Sequence, residues 1–310
     1  MSKLFITKTA NEWMAEALSL PEPEKLYDEL WLKGETAFLF GGTGTGKSLF
    51  AVQIGKEISK REPVLYFDFE LSLGQFAKRY YTEDRDYLPF PDNFFRVEFA
   101  RDITYNQKQL VEEIQQNATK HNAKVLIIDN LTWILASNEK TIDAGNLMKD
   151  IAALKRNHGY SILIMSHTPK RDDTRPVTVN DMAGSMVLSN FIDSSFCIAK
   201  SAQESSLRYV KQIKVRSAEI VYDYDSVKVF ELYKNPDGFL GVEDKGVGGE
   251  NEHLRRPKDN EWQGKKEECY NLLDQKMTYS QISEQLGIAK GTISKWAKQR
   301  KETFDDDLPF

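Results

Sequence analysis

Gly41 to Ser48 read GGTGTGKS, and their types and spacing suit the gripping of phosphate. An apolar stretch, Thr36 to Phe40, leads into the run, and a helix-like run, Leu49 to Ser59, leads out. Gly41, Gly46, Lys47 and Ser48 fit the spacing G-x-x-x-x-G-K-[ST]. Glycines at Gly41, Gly42, Gly44 and Gly46 let backbone N–H groups approach phosphate oxygens with no Cβ in the way. Thr43 and Thr45 complete the loop, and Leu49 opens the helix whose N-terminus adds partial positive charge behind it. Lys47 is expected to reach the terminal phosphates. The Ser48 hydroxyl is expected to ligate Mg²⁺.

Three more groups end predicted strands on the same rim. Asp129 follows the apolar run Val125 to Ile128, and a carboxylate there faces the crevice where ligands bind in open α/β sheets. It is a candidate for the metal, directly or through water. Glu70 ends Val64–Phe69 and can accept a proton from an attacking water. His167 follows Ser161–Ser166 and can sense a terminal phosphate through a hydrogen bond. The loop after it carries Lys170, Arg171 and Arg175, cations placed to touch a phosphate backbone. Lys214 and Arg216 alternate in RYVKQIKVR, so period two points both to one face. Two cations aimed together suit a developing phosphoryl charge. Their distance along the chain from the phosphate loop leaves them free to complete a neighbour's site.

Strand–helix alternation from Thr36 to about Glu243 predicts a parallel sheet with helices on both faces. The strands are Thr36–Phe40, Val64–Phe69, Phe95–Phe99, Lys124–Asp129 and Ser161–Ser166. Gln107–Lys120 and Ala144–His158 are among the helices. Ser195–Ala199, Leu207–Val215 and Lys228–Leu232 follow without long helices, which predicts an antiparallel extension. The expected organisation is an arm over 1–33, a phosphate-binding domain over 34–244, a flexible linker over 245–260, a helical domain over 261–303 and an acidic tail over 304–310. In the arm, Thr9 and Glu12 form a capping box ahead of an apolar stripe on Trp13, Met14, Ala17 and Leu18. That stripe packs on its own core or docks on a neighbouring subunit; its length does not decide which.

The 310 residues are 40% hydrophobic and 29% charged, with a net charge of −5. Mean hydropathy is −0.53, and no apolar run reaches the length of a membrane span. The N-terminus lacks a signal-peptide core. Cys197 and Cys269 lie far apart and near no histidine cluster, which argues against disulfides and zinc and fits a reducing cytoplasm. The net charge argues against a wholly basic coat but leaves room for local basic loops.

Near the C-terminus, MTYSQISEQLGIAKGTISKWAKQRK has helix-turn-helix spacing. Ile282 and Leu286 share one face, Gly287 supplies the turn, and Ile293 and Trp296 anchor the second helix. Lys290, Thr292, Lys295, Lys298 and Gln299 are then left outward, a surface suited to a major groove. This unit resembles the helix-turn-helix units of resolvases and transposases.

The core resembles the RecA-fold ATPases, and within them the hexameric replicative helicases of the DnaB and RepA type. ELSLGQFAKR, from Glu70, is similar to that family's E-[ML]-S-x-x-Q-[LF]-x-x-R run. The resemblance implies a RecA-like α/β core, ATP and Mg²⁺ as cofactors, DNA as partner and a homo-oligomer, a hexamer. It implies Glu70 as catalytic glutamate, Asp129 as metal carboxylate and His167 as sensor. Arg79 closes the motif and joins the nucleotide-binding residues. QIKVR resembles the family's K-x-R finger, which gives Lys214 and Arg216 a role in the adjacent subunit's site. One departure is Ser217-Ala218-Glu219, where DnaB-type helicases place a glycine-containing turn. The implied activity is ATP-driven DNA unwinding or translocation for a plasmid or mobile element. The alternative is a DNA-bound regulatory or assembly ATPase without unwinding.

Overall fold

A computed structural model describes residues 5–82, 86–87, 89–100, 104–131, 134–135, 143–168, 171–182, 189–235, 239–255 and 257–305. Nine strands form the main sheet: β3 (Thr36–Gly41), β4 (Val64–Asp68), β5 (Phe94–Val97), β6 (Val125–Asp129), β7 (Ser161–His167), β8 (Ser194–Lys200), β9 (Leu207–Lys214), β10 (Val227–Lys234) and β11 (Leu240–Gly248). Their order is β11-β10-β9-β8-β3-β7-β6-β4-β5. The six from β8 to β5 are parallel, and β8 to β11 run antiparallel. This is a RecA-like mixed sheet. Strands buried on both faces read as continuous apolar runs, as in Val125 to Ile128.

Helices cover both faces. The helix after the phosphate loop, α2 (Lys47–Ser59), packs Phe50, Ile54 and Ile58 on one face. On the other, α4 (Gln107–Lys120) and α5 (Ala144–His158) bury Leu110, Ile114, Leu147 and Ile151. Each such side chain contributes about 1.5–3 kcal/mol on burial. Between β4 and β5 lies the short α3 (Leu73–Ala77), capped reciprocally by Ser72 and Gln75.

Two boundaries differ from those expected. The segment 1–33 is not all arm: β1 (Lys25–Tyr27) and β2 (Trp31–Leu32) form a hairpin whose Leu26, Leu30 and Trp31 are buried against α2. An aromatic and two leucines outweigh the flanking charges. Helix α1 (Ala10–Ala17) carries the Thr9–Glu12 capping box but buries none of its residues, so it does not pack on its own core. The expected linker is also displaced. β11 runs to Gly248, and α6 (Glu250–His253) inserts Glu250 and His253 into the interior. Glu250 is anchored there by Lys211 and by the Val177 N–H. Two polar side chains that find buried partners hold a glycine-rich stretch that composition alone reads as free.

The C-terminal unit consists of α7 (Pro257–Asp274), α8 (Tyr279–Leu286) and α9 (Lys290–Asp305) around a core of Cys269, Leu272, Ile282, Leu286, Ile293 and Trp296. α9 thus enters the expected tail; residues 306–310 lie outside those described. Thr278 and Gln281 form a capping box at the start of α8, and Gly287 ends it at φ 64°.

Candidate active site

β3 delivers the phosphate loop to the carboxyl rim of the sheet. Gly44 and Gly46 turn there with φ of 67° and 88°, where side chains other than glycine are strained. A Cβ on Gly46 would also stand 2.7 Å from the Leu232 Cδ1. Lys47 is buried, and its Nζ donates to the carbonyls of Gly41 and Gly42, each at 2.9 Å. Burial pushes its pKa down, opposed by the charges of Asp129 and Glu70.

Asp129, from β6, is almost wholly buried. It accepts hydrogen bonds from the Tyr66 hydroxyl at 2.5 Å and from Ser48. Burial raises its pKa to about 6 against those bonds, and the charges of Asp68 and Glu70 add to the rise. A buried carboxylate crowded by two other acids and touching a serine hydroxyl is a set of hard oxygen donors short of positive charge. That donor set fits a divalent cation such as Mg²⁺. Ser48 and Asp129 are the residues that would hold it.

Glu70 stands at the mouth of the same cleft. Its Oε2 accepts from the Asn130 side-chain amide and lies 3.7 Å from His167 Nε2. The hydrogen-bonding His167 beside it, ahead of the smaller effects of Lys47 and Asn130, holds its carboxyl below the ordinary range. His167, from the end of β7, pairs its Nδ1 with Lys47 Nζ at 3.1 Å and its Nε2 with Asn130 Nδ2 at 3.3 Å. The cleft has a volume of about 210 Å³, and its walls include Thr43, Leu49, Gln75, Arg79 and Leu240. Arg79 is buried, and its Nε has no hydrogen-bond partner among the described residues. Lys47, Ser48, Glu70, Arg79, Asp129 and His167 therefore share one place.

Two participants escaped the sequence reading. Asn130 binds Glu70 to His167, and its only sequence signal is that it follows Asp129. Asp68 accepts the Leu71 N–H at 2.9 Å and pairs with Arg96 at 2.9 Å, which fixes the turn that presents Glu70.

The remaining cations lie elsewhere. Lys214 pairs with Ser195 at the start of β8, level with the start of β3. β9 therefore carries Lys214 and Arg216 to the rim opposite the phosphate loop. Lys214 Nζ is not free: it donates to the carbonyls of Ser189 and, at 2.9 Å, Ile192. Arg216 is half exposed, with Asp193 at 3.9 Å. In the loop after β7, Arg175 is largely exposed but Arg171 is not. Arg171 hydrogen-bonds Tyr209 and sits 3.7 Å from Asp181, because the loop folds back on β9. Arg171, expected to contact DNA, is therefore engaged within the chain. Lys170 lies outside the described residues. On the C-terminal unit, Lys290, Lys295 and Lys298 are exposed and Thr292 is half-buried.

Among the described residues no helix is long and apolar enough to cross a membrane. A family model described as "AAA domain" matches residues 6–173. No curated protein matches the chain. Among solved structures, a KaiC-like protein from the hyperthermophilic archaeon Pyrococcus horikoshii OT3 aligns with a TM-score of 0.51 at 20% identity. The alignment covers 71% of this chain and 95% of that one. This likeness supports the RecA-like fold.

Proposed function

The chain belongs to the AAA-domain family, and on that premise we propose that it hydrolyses ATP with Mg²⁺ to drive DNA unwinding or translocation as a hexameric helicase of the RepA-like group. The observation that carries the ATPase part is the convergence of Lys47, Ser48–Asp129 and Glu70–Asn130–His167 on one cleft.

Lys47 exchanges its bonds to the Gly41 and Gly42 carbonyls for the terminal phosphates. Ser48 and Asp129 would hold the cation, which would supply positive charge to offset that of the phosphates. Glu70, a carboxylate at the mouth of the cleft, orients a water and accepts its proton. Asn130 and His167 fix the Glu70 carboxylate in place. Because His167 also touches Lys47, departure of Lys47 towards a phosphate releases one side of the sensor.

Arg216 completes the site of a neighbouring protomer, since it projects from the rim opposite its own phosphate loop. The exposed apolar stripe of α1 offers such an assembly a further contact. Arg175 and the basic face of α9 supply contacts to DNA phosphates and to a duplex site.

A second reading is a DNA-bound regulatory or assembly ATPase without unwinding. Engagement of Arg171 by Tyr209 and Asp181 and the Ser217-Ala218-Glu219 departure after the finger favour it, because the first leaves one loop cation fewer for a strand and the second alters the finger turn. A forked-duplex assay separates the two. ATP-dependent strand release that stops in Glu70→Gln supports the helicase; ATP-dependent protection of one sequence with no strand released supports the regulator.

A further inference from the structure

Behind the phosphate loop stands a buried arginine that the catalytic constellation does not include. Arg208, on β9, is 4% exposed. Its Nε donates to the carbonyl of Thr45 at 2.9 Å. Its Nη1 donates to the carbonyls of Ser205 at 2.6 Å and Leu207 at 2.8 Å. All of these acceptors are neutral. Its cross-strand neighbours are Lys200 on β8 and Phe230 on β10, so the nearest charge on the adjoining strand has the same sign. Lys200 itself reaches the loop, with Nζ 3.6 Å from where a Cβ on Gly44 would stand. Among the described residues no carboxylate forms an ion pair with Arg208. Burial lowers its pKa, and no neighbouring charge opposes this.

A buried charge without a counter-charge is costly. The side chain also does something specific to the loop. In a planar trans peptide the C=O of one residue and the N–H of the next point to opposite sides. Pinning the Thr45 carbonyl on the β9 side therefore turns the Gly46 N–H to the other side, towards the cleft.

We propose that Arg208 is a positioning residue for nucleotide phosphate: its guanidinium holds the Thr45–Gly46 peptide with the N–H facing the cleft, and its missing counter-charge is supplied by the bound polyphosphate. The proposal rests on the ATPase reading. It places the loop between two partners, phosphate in front and Arg208 behind.

The test compares wild type, Arg208→Met and Arg208→Gln. Gln keeps a donor for the carbonyl without the charge, and it decides the matter if the Met variant does not fold. The readouts are ATP and ADP affinity by calorimetry with Mg²⁺ and the thermal midpoint of the nucleotide-free protein. Both variants are expected to bind ATP about tenfold or more weakly, the scale of a lost charge-assisted bond. The nucleotide-free midpoint of Arg208→Gln is expected to be unchanged or raised, since an uncompensated charge is gone. A fallen midpoint with ATP affinity intact would mean a purely structural arginine and overturn the proposal, as would wild-type ATP affinity in Arg208→Gln. Absence of nucleotide binding by the wild type would instead overturn the ATPase reading.

Discussion

His167 Nδ1 lies 3.1 Å from Lys47 Nζ, so the histidine that ends β7 touches the lysine that closes the phosphate loop. The same ring reaches Asn130, and through it Glu70. Lys47 and Glu70, the proposed phosphate grip and the proposed base, are thus joined by two side chains. The chemistry of each is coupled to the position of the other.

Substitution of Lys47 tests the grip. Lys47→Ala removes the cation that donates to the loop carbonyls of Gly41 and Gly42. ATP affinity measured by calorimetry should fall about 10²-fold, the scale of an ion pair's loss at a phosphate. Affinity equal to wild type would refute the assignment.

Asn130 gives a subtler prediction. Asn130→Ala leaves Glu70 and His167 in the cleft with their direct contact at 3.7 Å but without the amide that ties them together. ATP should bind as in wild type while the hydrolysis rate drops, by about tenfold or more, because an unpositioned base loses part of its effect. A weakened affinity at unchanged rate would mean that Asn130 serves binding.

Arg216 lies at the rim opposite its own phosphate loop. β9 spans ~20 Å between the Arg208 and Lys214 ends at strand rise. Arg216→Ala should therefore bind ATP and hydrolyse it poorly. Mixed with Glu70→Gln, it should recover some hydrolysis, because one protomer supplies the base and the next the finger. No recovery at any ratio would place the role of Arg216 within its own chain or in structure alone.

The basic face of α9 predicts salt-dependent binding. Lys295→Ala should weaken duplex binding across sequences and lower the salt slope by about one. Fluorescence anisotropy at several salt concentrations reads both quantities. An unchanged slope would remove Lys295 from the DNA contact.

His253 makes stability depend on pH. It is buried, bonds Ser201 through Nδ1 at 2.8 Å, and has no hydrogen-bond partner for Nε2 among the described residues. Burial lowers its pKa below the ordinary 6.5. The unfolded chain then binds a proton that the native state refuses, so stability is full above pH 6.5 and falls as pH drops through that value. Thermal midpoints of wild type should decline from pH 7.5 to 5.5, and His253→Gln should flatten the decline. Equal slopes would contradict the assignment.

The sheet was legible because its strands are long apolar runs with glycine or charge at their ends, and the phosphate loop because its spacing is dictated by a ligand. The positions of Glu70 and Asp129 were legible because a charged residue that ends an apolar run sits at the sheet's rim. Asn130 was not, since a neutral amide after an acid carries no pattern of its own. The hairpin at Leu26 to Leu32 and the buried Glu250 and His253 were hidden by local composition. Short segments rich in charge or glycine read as arm and linker, and only distant partners such as Lys211 and Ser201 reverse that. Arg171 looked like a free loop cation for a similar reason, as its hydrogen bond to Tyr209 spans two elements.

ATP binding in this cleft and its cleavage by way of Glu70 are open to one experiment. The most direct measurement incubates wild type and Glu70→Gln with Mg²⁺ and labelled ATP, then separates the protein and identifies the bound nucleotide. Wild type should carry ADP, and Glu70→Gln should carry intact ATP at similar occupancy, with cleavage slowed about 10²-fold or more. Empty protein in both cases, or ADP at the same rate in both, would contradict the account.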